Sequence, residues 1–364
     1  PSFLAAQLKS SVPMWADLNG WIMAEAQAQA FKMQTDDYLP HYHFMQQTIL
    51  RRADKFSSVS QSQSLALTGE LATLGRISYK TFDYAFAEPI PNGAEWFKND
   101  KQFTALKARQ YLVKKFPALQ QLPSDAFSLL WVGGYNTWVD EHTLFKGVDI
   151  FMALNKNAFF VSTGGSLKGL DDKTFTNFKK LIEASKYKDR YIFLGWVEQK
   201  DLSALYAFAD VGLNVDRLCL ETLTGARNRL NEMLKFGLPI VTTLGSEIAN
   251  IVHKSEIGVG VKSGDPNALA LDLLKLSLDK KNGKTRLTAL SEKGKQFTKE
   301  NLNYKLLIQP FLAWCRYPSK APDAGVSMSF GKKKLVKSAI RYLRERGPRA
   351  FANKLYKSVL NNFR

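Results

Sequence analysis

Hydrophobic positions along this chain switch repeatedly between unbroken runs and a spacing of three to four residues. From Phe127 onward the alternation is regular. FSLLWVGG is an apolar run ending in two glycines, and the helix-period segment LFKGVDIFMALN follows it. AFFVSTGG (158–165) precedes KTFTNFKKLIEA, YIFLGWV (191–197) precedes KDLSALYAFA, and VGLNV (211–215) precedes ARNRLNEMLKFG. LPIVTT (238–243) precedes SEIANIVH, and GVGVK closes the series. Strands without a polar face, separated by amphipathic helices, predict a parallel sheet covered on both sides. The fold class is α/β, doubly wound and of nucleotide-binding type, with ligands expected at the carboxyl ends of the strands.

The first third is less regular. VPMWADL (12–18) predicts a short strand that Asn19-Gly20 ends, and Ile22, Met23, Ala26 and Ala30 then share a helix face. A helix is predicted near 44–53, a strand at FSSVS (56–60) and a helix near 63–74. AEPIPNGAEWF (87–97), with two prolines and an Asn-Gly, reads as a connector between domains. A charged helix at about 101–115 and a second break at PALQQLPSD (117–125) follow.

Nearly every strand of the second region ends in small residues: Gly133-Gly134, Thr163-Gly164-Gly165, Gly195 and Asn214. Such ends let a ligand approach the backbone, although any single glycine pair is explained by the turn it makes. Lys146-Gly147 reads as the opening of the next helix. The whole ordered set, rather than any one pair, points to a binding site.

That ordered set, from Leu129 to Ala270, resembles the C-terminal half of a GT-B glycosyltransferase of the retaining family 4 type (glycosyl transferases group 1). The resemblance rests on Lys146-Gly147 before a helix, on FFVSTGG, on IFLGWVEQKDLSALYAFADVGLNV, on Glu232 five residues before Gly237-Leu-Pro239, and on Glu247-Ile with Gly258. It implies two Rossmann-like domains, the first one partial, a crossover helix at YKLLIQPFLAWC, and a nucleotide diphosphate sugar as donor with no metal or cofactor required. It also implies catalytic roles for Lys146, Glu232 and Arg227, with Glu232 on the ribose hydroxyls. Gly133, Gly134, Asn136, Thr163, Gly164, Thr224, Gly225, Ala226 and Glu221 would line the donor site, and Asp17 and Asn19 the acceptor side. Arg227 and Arg229 lie where a following helix begins, and a cation there opposes the helix dipole unless it faces an anion. The chain departs from the family pattern in three places. Thr224 stands where the family's first glutamate falls, with Glu221 three residues earlier as the other candidate. The loop YNTWVDEHT replaces the family's arginine after the first glycine. WADLNG replaces an acceptor-side histidine. The chain thus reads as a divergent subgroup.

On this reading the boundaries are 1–92 for a partial acceptor-side domain, 93–125 for a connector and helix, and 126–302 for the donor domain. Residues 303–330 form the crossover and linker, and 331–364 a basic amphipathic tail. That tail carries eleven Lys or Arg against Glu345 alone, about +10 of the net +18. Its asymmetry predicts an anionic surface as partner, with lipid headgroups favoured because Leu335, Ile340 and Leu343 fall near one face. No nucleic-acid motif accompanies the charge, so no nucleic acid is expected as a partner. Cys219 and Cys315 have neither ligand nor disulfide spacing, which suits a reducing compartment. His41 and His43 lack the further ligands of a metal site. The first residue is proline, from which a missing N-terminal segment is expected. The functional expectation is transfer of a sugar to a glycan or lipid-linked acceptor in cell-surface polysaccharide or lipopolysaccharide synthesis. The enzyme would be cytoplasmic and peripheral at the inner face of the membrane. The alternative is a non-catalytic nucleotide-sugar binding or scaffold protein of the same fold.

Overall fold

The computed structural model describes residues 1–94, 103–167, 169–324 and 332–361, with side chains of 332–338 and 354–361 outside the described set. The end of the predicted connector (95–97), the start of the predicted charged helix, and Leu335, Lys332, Lys333, Lys334, Lys337, Lys354, Lys357 and Arg364 of the tail lie outside it too. The chain divides into two compact units, residues 1–69 with 85–320, and residues 70–84 with 321–364.

The first unit contains two parallel sheets. One is built from β1 (Trp15–Leu18), β2 (Lys55–Ser58) and β3 (Ala87–Pro89) in that order. Four helices accompany these strands in sequence: α1 (Ser2–Ala6), α2 (Ile22–Met33), α3 (Leu39–Arg52) and α4 (Gln61–Thr73). The segment read as a connector thus holds a strand. Proline is tolerated in β3 because β3 is an edge strand, and pairing resumes at Ile90, whose N–H donates to Ser58 O at 2.7 Å.

The other sheet has β4 (Phe127–Trp131), β5 (Ala158–Ser162), β6 (Tyr191–Phe193), β7 (Val211–Asn214), β8 (Ile240–Thr243) and β9 (Val259–Val261). Its order is β6-β5-β4-β7-β8-β9, and every pair is parallel. Helix α5 (Ala105–Lys115) precedes it. The crossovers use α6 (Glu141–Leu154), α7 (Lys173–Glu183), α8 (Gln199–Phe208), α9 (Leu220–Thr224), α10 (Asn228–Lys235) and α11 (Glu247–Lys254). Helices α12 (Pro266–Lys281) and α13 (Thr285–Asn301) follow. Along β4, Phe127, Leu129 and Trp131 join one buried cluster with Val148, Phe151 and Leu269. Leu130 and Val132 join another with Leu112, Leu205 and Met233. Two covered faces explain why the strand shows no polar alternation. The chain enters at β4, winds outward to β6, and returns to β7 on the other side. Strand order therefore reverses between β4 and β7, and a crevice opens beyond their carboxyl ends.

Lys146-Gly147 does not open a helix. Asp140 caps α6, its Oδ1 accepting from Thr143 N at 3.0 Å, so the helix begins at Glu141 and Lys146 lies exposed in the second turn. Gly147 has a packing role instead. A Cβ there would lie 2.5 Å from Leu269 Cδ2 and 3.1 Å from Leu269 Cβ, so the glycine lets α6 and α12 approach closely.

The predicted crossover helix is two short helices, α14 (Tyr304–Leu307) and α15 (Gln309–Arg316), because Pro310 is accommodated only in a first turn. Phe311 and Trp314 meet the Trp15 ring of β1 at 5.4 and 5.5 Å, which returns the chain to the first sheet. In the second unit, Arg76 and Asp323 form a buried two-point pair, Nε to Oδ2 at 2.7 Å and Nη2 to Oδ1 at 3.0 Å. Its α16 (Lys332–Asn361) breaks at Gly347, φ 78° and ψ 166°, just before Pro348.

Gly147→Val should force α6 away from α12 and cost about 1–3 kcal/mol. Urea denaturation checks this; an unchanged midpoint would show that Leu269 yields without cost.

Candidate active site at the strand switch point

After β4 the backbone turns at Val132-Gly133-Gly134. Thr163 Oγ1 accepts from Gly133 N at 3.2 Å, and Gly164 N donates to Gly195 O at 2.7 Å. Gly164 has φ +77°, and any Cβ on it would collide with the Gly133 carbonyl. The two glycine corners are thus packed on each other, so Thr163 and Gly164 shape the corner from behind rather than line the crevice.

After β7, Asp216 is fixed from three sides. Its N–H donates to Thr243 Oγ1 at 2.7 Å, Ser263 Oγ donates to its carbonyl at 2.9 Å, and Asn214 Nδ2 donates to its Oδ2 at 3.0 Å. Arg227 then binds two buried carboxylates. Its Nε meets Asp216 Oδ2 at 2.5 Å, while Nη1 and Nη2 meet the two Glu221 oxygens at 3.0 and 2.7 Å. The two carboxylates hold Arg227 charged despite its burial. One guanidinium does not fully offset burial of two acids, and Glu221 is pushed up to about 7, with burial the chief cause and Arg227 opposing it. Glu25, on α2 and half-buried, is also raised by burial and lies within the field of Arg227.

Arg229, in the first turn of α10, has different company. Its guanidinium lies 4.1 Å from the Trp131 ring centre and Nη2 donates to Gly134 O at 3.0 Å. Nη1 is buried without a hydrogen-bond partner among the described residues. Burial lowers the pKa of Arg229. Farther along α10, Glu232 faces the same crevice, with Lys235 Nζ 3.5 Å from its Oε2.

The crevice has a volume of about 390 Å³, within the range typical of ligand sites. Its walls include Gly133, Asn136, Glu221, Gly225, Ala226, Arg227 and Glu232 of the predicted set, and Asn19 of the predicted acceptor side. Lys146, Gly134, Thr163, Gly164 and Thr224 are not among its lining residues. Gly134 presents its carbonyl to Arg229, and Thr224 is buried with Oγ1 donating to Leu220 O at 2.8 Å. Asp17 lines a larger neighbouring cleft of about 740 Å³, which shares Asn19, Asn92, Asn228 and Glu232 with the first. Sequence reasoning missed Glu25, Asn92, Gln199 and Tyr206 in the crevice wall. No period or motif in the sequence marks these four positions.

Several bonds tie the first sheet's loops to this region. Asn92 Nδ2 donates to Asn19 Oδ1 at 3.1 Å and to Asn228 Oδ1 at 2.6 Å, and Asn231 Nδ2 donates to Asn92 O at 2.7 Å. Ser60 Oγ donates to Thr224 O at 2.6 Å. Buried Glu141 accepts from Lys32 at 2.7 Å and from Arg217 at 2.8 Å, and these cations, against the effect of burial, lower its pKa. His41 and His43 are exposed on α3. No group of three or more His, Cys, Asp or Glu among the described residues is placed to hold a metal ion.

Comparison with known proteins agrees with this geometry. Residues 148–279 match the family model described as Glycosyl transferases group 1. No curated protein matches the chain in sequence. Among solved structures, sucrose-phosphate synthase from Thermosynechococcus elongatus superposes with a TM-score of 0.61 at 18% identity, covering 86% of this chain and 69% of that one. HepE from Anabaena, solved with UDP and glucose, gives 0.61 at 14% identity, over 84% and 72%. WaaG, a glycosyltransferase involved in lipopolysaccharide biosynthesis, gives 0.60 at 17% identity, over 85% and 77%. The chain therefore has the GT-B fold, and residues 148–279 are similar to a group 1 glycosyl transferase domain.

Two outcomes follow from the Arg227 cluster. Arg227→Met leaves Asp216 and Glu221 buried without their cation and should cost about 3–5 kcal/mol in denaturant titration; a loss below 1 kcal/mol would mean the acids find other partners. Glu221 holds a proton in the folded chain between its ordinary 4.5 and about 7 that the unfolded chain releases. Its contribution to stability is therefore complete below pH 4.5 and is lost as pH rises through 7. Glu221→Gln should flatten the decline of Tm between pH 5 and 7.5, and identical profiles for both proteins would refute the shift.

Proposed function

We propose that this chain is a glycosyltransferase that moves a hexose-type sugar from a nucleotide diphosphate sugar to a glycan or lipid-linked acceptor. The observation that carries the reading is Arg229: a buried guanidinium braced on Trp131, beside the glycine corner at the switch point, with one nitrogen lacking a hydrogen-bond partner among the described residues. Departure of the sugar leaves charge on the diphosphate. A fixed cation and the amino end of α10 stabilise that charge without reorganising. Glu232, one turn farther along α10, would accept from the two ribose hydroxyls, and Gln199, Leu202 and Tyr206, which line the same crevice, would enclose the base. Arg227, engaged by Asp216 and Glu221, is a positioning residue that sets the entry of α10.

Glu221, which lines the crevice as Thr224 does not, is the carboxylate nearest the donor sugar. The phosphate contact falls to Arg229, since Lys146 is exposed and outside the crevice wall. Family resemblance supports retention, with same-face attack in which a departing phosphate oxygen takes the acceptor proton. The domain division at 92, 125, 302 and 330 belongs to the same proposal, as does a pathway of cell-surface polysaccharide or lipopolysaccharide synthesis. Attachment to an anionic inner membrane face rests on the basic tail, where each Lys or Arg near the surface is worth about 1 kcal/mol. No helix among the described residues is long and apolar enough to cross a membrane. Thr224 in place of the family's first glutamate favours a second reading, a nucleotide-sugar binding protein without turnover.

Calorimetric titration with UDP, GDP, ADP and dTDP at physiological salt tests the site. One nucleotide should bind selectively, and about 10- to 100-fold more weakly to Arg229→Ala and Glu232→Ala. Lys146→Ala should bind as the parent does. Weak binding of all four, indifferent to these substitutions, would remove the donor site. Selective binding without acceptor-dependent nucleotide release would favour the second reading.

A further inference from the structure

We infer that Lys32 is a positioning residue for the donor crevice: by occupying one oxygen of Glu141 from the side of the smaller sheet, it keeps Arg217 on the loop that carries Asn136 and Trp138. This rests on the donor reading of that crevice. Asn136 and Trp138 line the crevice. The same two residues, with Thr137, also line a small cavity of about 80 Å³ against Ile22, Ala26 and Gln29 of α2. The loop is therefore a partition between α2 and the crevice, and whatever sets its backbone sets one wall of the site. Arg217 fixes its far end: the backbone N–H donates to Trp138 O at 2.9 Å, and Nη2 donates to Val139 O at 3.1 Å.

The guanidinium of Arg217 is divided between two acceptors. Nη2 also donates to Glu141 Oε2 at 2.8 Å, while Nε is buried without a hydrogen-bond partner among the described residues. A guanidinium and a carboxylate favour a two-point pair through neighbouring nitrogens, as Arg76 and Asp323 make here with Nε and Nη2. Arg217 and Glu141 make only one of the two bonds. The oxygen that the second would need is taken: Lys32 Nζ donates to Glu141 Oε1 at 2.7 Å, with Asn177 Nδ2 at 3.5 Å from the same atom. The Lys32 and Glu141 side chains are 9% and 2% exposed, so water does not readily replace either partner. Lys32 lies in the last turn of α2, where a cation also suits the helix dipole. Without Lys32, Oε1 is free to take Arg217 Nε, and the guanidinium turns from Val139 O toward the carboxylate. The Trp138 wall then loses its brace. The crevice thus senses the position of α2 through one carboxylate, and the first turn of α2 brings Glu25 to the same crevice.

Fluorine NMR of the full chain labelled with fluorotryptophan, the Trp138 resonance assigned by Trp138→Phe, is read beside calorimetric titration with UDP, GDP, ADP and dTDP. Lys32→Met should move the Trp138 resonance and weaken binding of the selected nucleotide about tenfold, and Lys32→Arg should restore both. Arg217→Lys removes the nitrogens of the two-point pair, so in that background Lys32→Met should change affinity less than about twofold. If Lys32→Met does not fold, Lys32→Gln is read in its place, since its neutral amide reaches less far, and the same two changes are expected. Unchanged affinity in Lys32→Met would overturn the inference. So would a loss of affinity with the Trp138 resonance unmoved, or an undiminished loss in the Arg217→Lys background. In each of these cases the donor reading stands if Arg229→Ala still weakens binding. A parent protein that binds none of the four nucleotides loses both.

Discussion

One guanidinium balances two buried acids at the point where the strand order of the larger sheet reverses. Arg227 joins the end of β7 through Asp216 to α9 through Glu221, and it stands at the entrance of α10. Remove the cation and two carboxylates face one another in a poor solvent for charge, a state that proteins avoid by moving or by taking up protons. The bend between β7 and α10 is thus fixed electrostatically, and the first turn of α10 inherits its direction. Arg229 reaches Trp131 and Gly134 only because that turn is so directed, and Glu232 follows one turn later.

The same economy of polar contacts governs how the loops of the smaller sheet meet the larger one. Asn92 bonds to Asn19 on its own side and to Asn228 across the cleft, while Asn231 returns a bond to its carbonyl. Glu141 draws Lys32 of α2 and Arg217 onto one buried carboxylate. These are directional bonds rather than broad apolar contacts. They set a geometry while leaving the cleft between the sheets open to a polar ligand. The aromatic seat of Phe311 and Trp314 on Trp15 supplies the complementary apolar anchor at the C-terminal end.

The six strands of the larger sheet were readable because both faces of each are covered, and burial writes itself as an unbroken apolar run. The glycine corner after β4 was readable because close backbone approach admits few residue types, whereas Glu232 was singled out only by the family resemblance. Lys146 misled because a Lys-Gly pair carries no mark of its position within a helix; Asp140, the cap that decides it, sits six residues earlier. Sequence reading assigned a catalytic role to Arg227, although Arg229 lies in the same turn and nothing in the sequence separates the two. Only three-dimensional proximity assigns the first to Asp216 and Glu221 and the second to Trp131. The strand Ala87–Pro89 and the bonds of Asn92 were hidden because short edge strands and loop amides carry no period.

The two clefts share Asn19, Asn92, Asn228 and Glu232 as a common wall. A change at any of these four positions therefore alters both surfaces at once. On the proposed reading, preference for a nucleotide sugar and preference for an acceptor cannot drift separately in a lineage carrying this architecture. New pairings would arise at the outer walls first, at Gln199 and Leu202 on one side and Tyr304 and Phe311 on the other. The shared amides between them would be the slowest part of the site to vary.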